Sequence, residues 1–242
     1  MGSTTADTCS RDRFDALRGR FKVLCHETEQ RFQNWQIRVH RSLSWLERAI
    51  ETDPDEQPDG RLLYGWIAFN SLYGRWDEQA GFPAADTDAW REFLGVVLRK
   101  DATQRIAGSI QHLREPILKL LENQFVDPRF WQNPQNPGNV RRRYHEALSL
   151  FVERRWLSLA ILAIERVYVF RGQLVHGAAT RGSELNRLTL RQTREVLEGL
   201  LLPILEVVIE HGCNDDWPPL CYPPIRLETS EAVPQATARR PR

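Results

Sequence analysis

Apolar residues recur at three- and four-residue spacing along most of this chain, and no segment alternates convincingly at period two. Phe14, Leu17, Phe21 and Leu24 begin one such stripe, which Trp35, Leu43, Leu46 and Ile50 continue less regularly; together they predict a first helical stretch from Arg11 to Glu51. The run Thr52-Asp53-Pro54-Asp55-Glu56-Gln57-Pro58-Asp59-Gly60 is rich in helix-ending residues and reads as a loop. Leu62, Trp66, Phe69 and Tyr73 mark a second helix, which stops before Gly81-Phe82-Pro83. A third is expected from Asp86 to Lys100 with Asp86 or Thr87 as its N-cap. Helical pattern runs again from Thr103 to Phe125, where Pro116 must kink the helix or begin a new one. Pro128, Pro134 and Pro137, with several Asn, predict a long surface loop. Two strong helices follow, Val140 to Phe170 and Leu185 to His211. After Gly212 the chain is expected to be extended through Trp217-Pro218-Pro219 and Tyr222-Pro223-Pro224.

The fold class this pattern predicts is all-α: a helical bundle occupying 11–228 as one domain, with 1–10 and 229–242 disordered. Composition supports a packed core. Hydrophobic residues are 41 % of 242, including eight Trp and ten Phe, so neither a metal nor disulfides are needed to hold the fold. The formal charge of +1, from 33 basic and 32 acidic residues, argues against bulk electrostatic binding of nucleic acid and leaves room for a local basic cleft. Lys22, Lys100 and Lys119 are the only lysines. Such Arg-richness suits phosphate recognition, yet biased composition explains it more simply. Cys9, Cys25, Cys213 and Cys221 form no CxxC pair, and the scattered His26, His40, His112, His145 and His211 propose no metal cluster. With no secretory start and no apolar run approaching the ~18 residues of a span, the expectation is a soluble cytoplasmic chain without a membrane partner or a cofactor. Glycine-rich phosphate loops, Gly-x-Ser-x-Gly and HExxH are missing from the sequence, which makes phosphate-loop ATPases, Rossmann dehydrogenases, nucleophile-elbow hydrolases and zinc enzymes poor fits.

What remains is a few polar side chains in a helical cleft. Phe170-Arg171-Gly172-Gln173-Leu174-Val175-His176-Gly177 closes the long helix from Val140. On a continuous helix, five steps of about 100° put Arg171 and His176 some ~140° apart, so a shared pocket requires the helix to unwind between them. Gly172 and Gly177 lower the cost of such a break. Upstream, Trp66-Ile67-Ala68-Phe69-Asn70-Ser71-Leu72-Tyr73-Gly74 carries Asn70 one position off the aromatic stripe, where it would line a cleft together with Tyr73 and Gln173.

These segments resemble the HEPN family of helical-bundle domains, whose hallmark is an Arg followed after four to six residues by a His at a helix junction. Arg171 and His176 match that Arg-x4-His motif, and Leu174-Val175-His176-Gly177 is close to a common form of it. The similarity covers roughly 60–80 and 140–211, which would make 82–138 an insertion. Gly172 departs from the family, where a polar residue often follows the Arg. The resemblance implies a metal-independent endoribonuclease acting as a toxin or antiviral effector: the RNA 2′-hydroxyl attacks phosphorus, His176 moves protons, and Arg171 holds the phosphoryl oxygens. It also implies a two-fold homodimer in which two motifs share a cleft, and an inhibitory or triggering protein partner. Arg141, Arg142, Arg143, Arg154 and Arg155 are candidate RNA contacts, with a solvated helix face as the plainer explanation. The alternative is a non-catalytic module that binds RNA, a nucleotide or a partner, in which Arg171 caps its helix and His176 is satisfied by a carbonyl.

Overall fold

A computed structural model describes residues 4–27, 33–135, 138–182 and 184–222. Among these residues the chain forms ten α-helices and one two-stranded ribbon, an all-α architecture. Helix α1 (Thr4–Glu27) and α2 (Gln33–Glu51) replace the single stretch expected from Arg11 to Glu51. The helix already includes Thr4 to Ser10, which corrects the expectation of a disordered 1–10 for the described part of it. The 229–242 tail lies outside the described residues.

Helix α3 (Pro58–Tyr73) takes over the last three residues of the expected loop, because a proline in the first turn lacks only an N–H that no intrahelical acceptor would meet. A short ribbon follows, β1 (Trp76–Asp77) pairing antiparallel with β2 (Phe82–Pro83). Helix α4 (Asp86–Lys100) has the expected bounds, but Ala85 is its N-cap and Asp86 belongs to the first turn. Helices α5 (Arg105–His112) and α6 (Arg114–Glu122) divide at Leu113, with Pro116 in the first turn of the new helix.

The expected surface loop holds α7 (Pro128–Gln132), which Asp127 caps by accepting from the Arg129 N–H at 2.8 Å. Its carboxylate also accepts from Arg166 Nη2 at 2.6 Å, and both side chains are fully buried. Burial of 82–138 goes further than an appended insertion requires: Trp90, Leu94, Ile106, Ile110, Ile117 and Leu120 belong to the same core as Trp35, Phe69 and Phe170.

The helix expected from Val140 to Phe170 is two helices, α8 (Gly138–Val152) and α9 (Trp156–Val175). Between them Arg154 adopts a left-handed φ of 55°. The Arg155 N–H reaches back to Leu150 O at 2.9 Å and the Arg154 N–H to Phe151 O at 3.3 Å. That pair of bonds is a Schellman ending, which normally places glycine where Arg154 stands.

Helix α10 (Glu184–His211) packs against α3, α4, α5, α6 and α9 and anchors the bundle, burying Leu197, Leu201, Ile204 and Val208 among others.

The chain after α10 folds back along the bundle. Arg38, only 1 % exposed on α2, donates from Nη1 to Leu72 O and Gly74 O at 3.1 and 2.6 Å. From Nη2 it donates to Pro218 O and Pro219 O at 3.0 and 3.1 Å. Burial lowers its pKa to about 10, so the guanidinium is charged at neutral pH, held by four carbonyl dipoles.

Candidate functional site

Residues of the motif sit on the last turns of α9. Apart from Arg166, the part of this helix that faces the bundle is apolar: Leu159, Leu162, Ala163, Val167 and Phe170 are buried, which fixes the rotation of the residues that follow. The helix does not break after Phe170. It continues through Gly172 to Val175, and Gly177, with φ 71°, ends it. Ala178 N–H bonds to Gln173 O at 2.8 Å and Gly177 N–H to Leu174 O at 3.2 Å, a Schellman ending one turn later than the expected break. The pocket that Arg171 and His176 were expected to share is therefore not formed within one chain. Backbone energetics explain why: an isolated glycine costs a helix only about 1 kcal/mol, far less than the hydrogen bonds and burial that continuation secures. Replacing Gly172 by Ala should accordingly stabilise the protein by up to about 1 kcal/mol, since a Cβ there meets nothing within 4 Å. A lowered urea midpoint for Gly172→Ala would contradict this account of the helix.

Arg171 turns towards α3 and α4. Its guanidinium lies 4.8 Å from the ring centre of Trp66 and 4.9 Å from that of Tyr168. Nη2 donates to Asp86 Oδ2 at 2.9 Å, and the opposite oxygen of Asp86 accepts from the Tyr73 hydroxyl at 2.8 Å. Burial, followed by the charge of Asp86, raises the Tyr73 pKa, so the phenol stays protonated and donates. The Arg171 side chain is 18 % exposed. Its charge is thus matched by a carboxylate and its surface covered by two aromatic faces. His176, in contrast, is an exposed C-cap residue, so its imidazole is not satisfied in the interior as the packing alternative supposed.

The remaining candidates separate. Tyr73 joins Arg171 through Asp86; it is buried in the core and lines a cavity with Phe93 and Trp217 that includes neither motif residue. Gln173 donates to Phe125 O at 2.6 Å and so pins the segment before α7 instead of lining an open cleft. Asn70 does line a cleft of about 190 Å³, but in the company of Arg38, Arg41, Ser71, Cys221 and Tyr222, with neither motif residue.

Arg143 turns inward at 12 % exposure, 3.9 Å from Glu165, which removes it from the RNA-contact set. Glu165 also accepts from Arg91 at 2.9 Å. Arg142, Arg154 and Arg155 are exposed, and the side chain of Arg141 lies outside the described residues. Among the described residues no group of three or more His, Cys, Asp or Glu is placed to hold a metal ion.

No family model matches the chain, no curated protein matches it, and no solved structure matches it. The likeness to HEPN domains thus rests on the residues quoted above. Among the described residues, no helix is long and apolar enough to cross a membrane.

Sequence reasoning missed Asp86, the residue that decides what Arg171 does. Its only local signal was helix-start chemistry, and nothing in the spacing ties it to a residue 85 positions later.

Around the end of α9 lies a group of exposed apolar side chains. Trp131 Nε1 and Gln173 Nε2 both donate to Phe125 O, which draws the 124–132 segment onto α9. Asn123 Nδ2 donates to Thr189 Oγ1 at 2.9 Å and ties the same segment to α10. Phe125 and Trp131 are more than half exposed, and so are Leu188 beside Thr189 and Leu185 one turn before it. By helical geometry His176 projects about 60° from Gln173, on the side of this surface.

Proposed function

We propose that this chain is a helical interaction module whose working surface surrounds the end of α9, with a second copy of the chain as its partner. The observation that carries this reading is the environment of Arg171. A guanidinium paired with Asp86 and covered by Trp66 and Tyr168 is turned into the bundle, so it fixes the end of the helix in place. The exposed Phe125, Trp131, Leu185 and Leu188 supply the contact area. Scattered apolar side chains on a surface are ordinary; here Trp131 and Gln173 share Phe125 O, and Asn123 ties the same segment to Thr189 beside Leu188. A two-fold pairing presents the same patch from both copies and so needs no other complement.

A second reading, a HEPN-type endoribonuclease acting as a toxin or antiviral effector under a protein inhibitor or trigger, is favoured by one observation. His176 is exposed at the helix end, beside the surface on which two copies would meet. Two imidazoles facing one groove would provide a base for the 2′-hydroxyl and an acid for the departing 5′-oxygen. Arg154 and Arg155 would then be the exposed cations available to the RNA backbone.

One experiment separates the two readings. The protein is incubated with structured RNA in EDTA while its mass is followed by light scattering. The module reading expects a dimer that Leu185→Asp with Trp131→Ala weakens, and no RNA fragments. A monomer at micromolar concentration removes it. Cleavage in EDTA that His176→Ala lowers by ~100-fold or more replaces it with the nuclease. In either case Arg171→Ala should lower the melting temperature, and His176→Ala should leave it unchanged, since only the former side chain is packed.

A further inference from the structure

A cleft lies where α2, the end of α3 and the Leu220–Tyr222 segment meet, and Asn70 on α3 lines it. We propose that it binds a phosphate-sized oxyanion, as the free ion or as the end group of a small phosphate monoester. Its volume of about 190 Å³ has room, at ~30 Å³ per water-sized group, for about six heavy atoms, which suits one such anion and little more.

The charge around the cleft is positive. Arg38 and Arg41 both line it, and their partners are carbonyl oxygens: those of Leu72, Gly74, Pro218 and Pro219 for the first, and of Cys221 at 3.3 Å and Tyr222 at 3.2 Å for the second. Carbonyl dipoles solvate a guanidinium without cancelling its charge. Among the described residues no carboxylate lines the cleft. The other charged groups whose fields reach Arg38 and Cys221 are Arg75 and Asp86, and each is matched elsewhere, Arg75 by Glu92 at 2.8 Å and Asp86 by Arg171 at 2.9 Å. Two guanidinium charges are left over, and a doubly charged anion balances them.

Donors are free on both walls. Arg41 gives two of its five N–H groups to the carbonyls, which leaves three. The Asn70 amide has no hydrogen-bond partner among the described residues, so its NH2 group is available from α3. Ser71 has given its hydroxyl proton to Ile67 O at 2.8 Å and serves only as wall. The bonds from Arg41 to the backbone of Cys221 and Tyr222 hold its guanidinium in place before the anion arrives, which reduces the ordering cost of binding. A cation would meet two arginines and no counter-charge, and an apolar group would strand the Asn70 amide.

The test is isothermal titration calorimetry at low ionic strength with inorganic phosphate and, separately, with glycerol 3-phosphate. Binding of either supports the site, and the tighter of the two identifies the source of the anion. Asn70→Asp keeps the size of a half-buried side chain and sets a carboxylate among the donors, so it should weaken binding roughly a hundredfold. Asn70→Ala, which only removes the amide, should weaken it about fivefold. Both variants should keep the wild-type melting temperature, because the Asn70 side chain holds nothing else in place. Arg155→Gln, a change to an exposed cation between α8 and α9, should leave binding unaltered. The proposal is overturned if neither probe binds the wild-type protein at millimolar concentration, or if Asn70→Asp binds as well as the wild type. Equal weakening by Arg155→Gln and Asn70→Asp would also overturn it, since the anion would then be held by surface charge at large.

Discussion

Asp127→Ala should destabilise the protein by about 3–5 kcal/mol, the cost of stranding a buried charge. Arg166 and Asp127 are both at 0 % exposure, and removing the carboxylate leaves a guanidinium with Val126 O at 3.3 Å as its remaining close acceptor. Glu165 stands 4.0 Å from Nη1, too far to replace the lost bond. The same substitution removes the cap of α7. Equilibrium urea unfolding measures the loss. Arg166→Met combined with Asp127→Leu should cost less than Asp127→Ala alone, because two apolar side chains of similar bulk leave no unpaired charge. A loss under about 1 kcal/mol for Asp127→Ala would mean that water reaches the pair, against its complete burial.

Arg38→Met should cost about 3 kcal/mol or more, with Arg38→Lys between it and the wild type. Four carbonyl oxygens lose their donor in the methionine variant, and hydrogen bonds to a charged group contribute about 1.5–3 kcal/mol each before the relaxation that follows their loss. Lysine keeps the charge but lacks the planar fork that reaches Leu72 and Gly74 on one side and Pro218 and Pro219 on the other. Proteolysis provides a second measurement: chymotryptic cleavage after Leu220 should accelerate in both variants, more so with methionine. An unchanged cleavage rate would show that the C-terminal segment is held by something other than this residue.

Helix placement was legible in the sequence wherever apolar periodicity and glycine or proline signals agreed, as for α4 and α10. It failed where a left-handed residue carried a side chain. Arg154 ends α8 in a conformation normally given to glycine, so the α8–α9 junction was invisible, and a non-glycine residue accepts that conformation only where surrounding packing holds it. Gly172 misled in the opposite direction, because glycine permits a break without imposing one.

The motif's residues were legible as types but not as neighbours. Arg171 is positioned by Trp66 and Tyr168, of which Trp66 was visible on the α3 stripe, and by Asp86, which was not. Arg166 carried a readable signal that was passed over: a charged residue between Ala163 and Phe170 on the buried stripe of α9 has to find a partner inside.

The grip of Arg38 on Pro218 and Pro219 also sets an order of events during synthesis. The guanidinium belongs to the second helix to leave the ribosome, yet two of its four acceptors arrive 180 residues later. Until then the nascent chain can assemble its helices only around a guanidinium that lacks two of its acceptors, so a segment made long after α2 is the one that closes the bundle. At about 5–20 residues per second that interval lasts on the order of ten seconds or more, a window in which the unfinished bundle is open to chaperones and to other copies of itself.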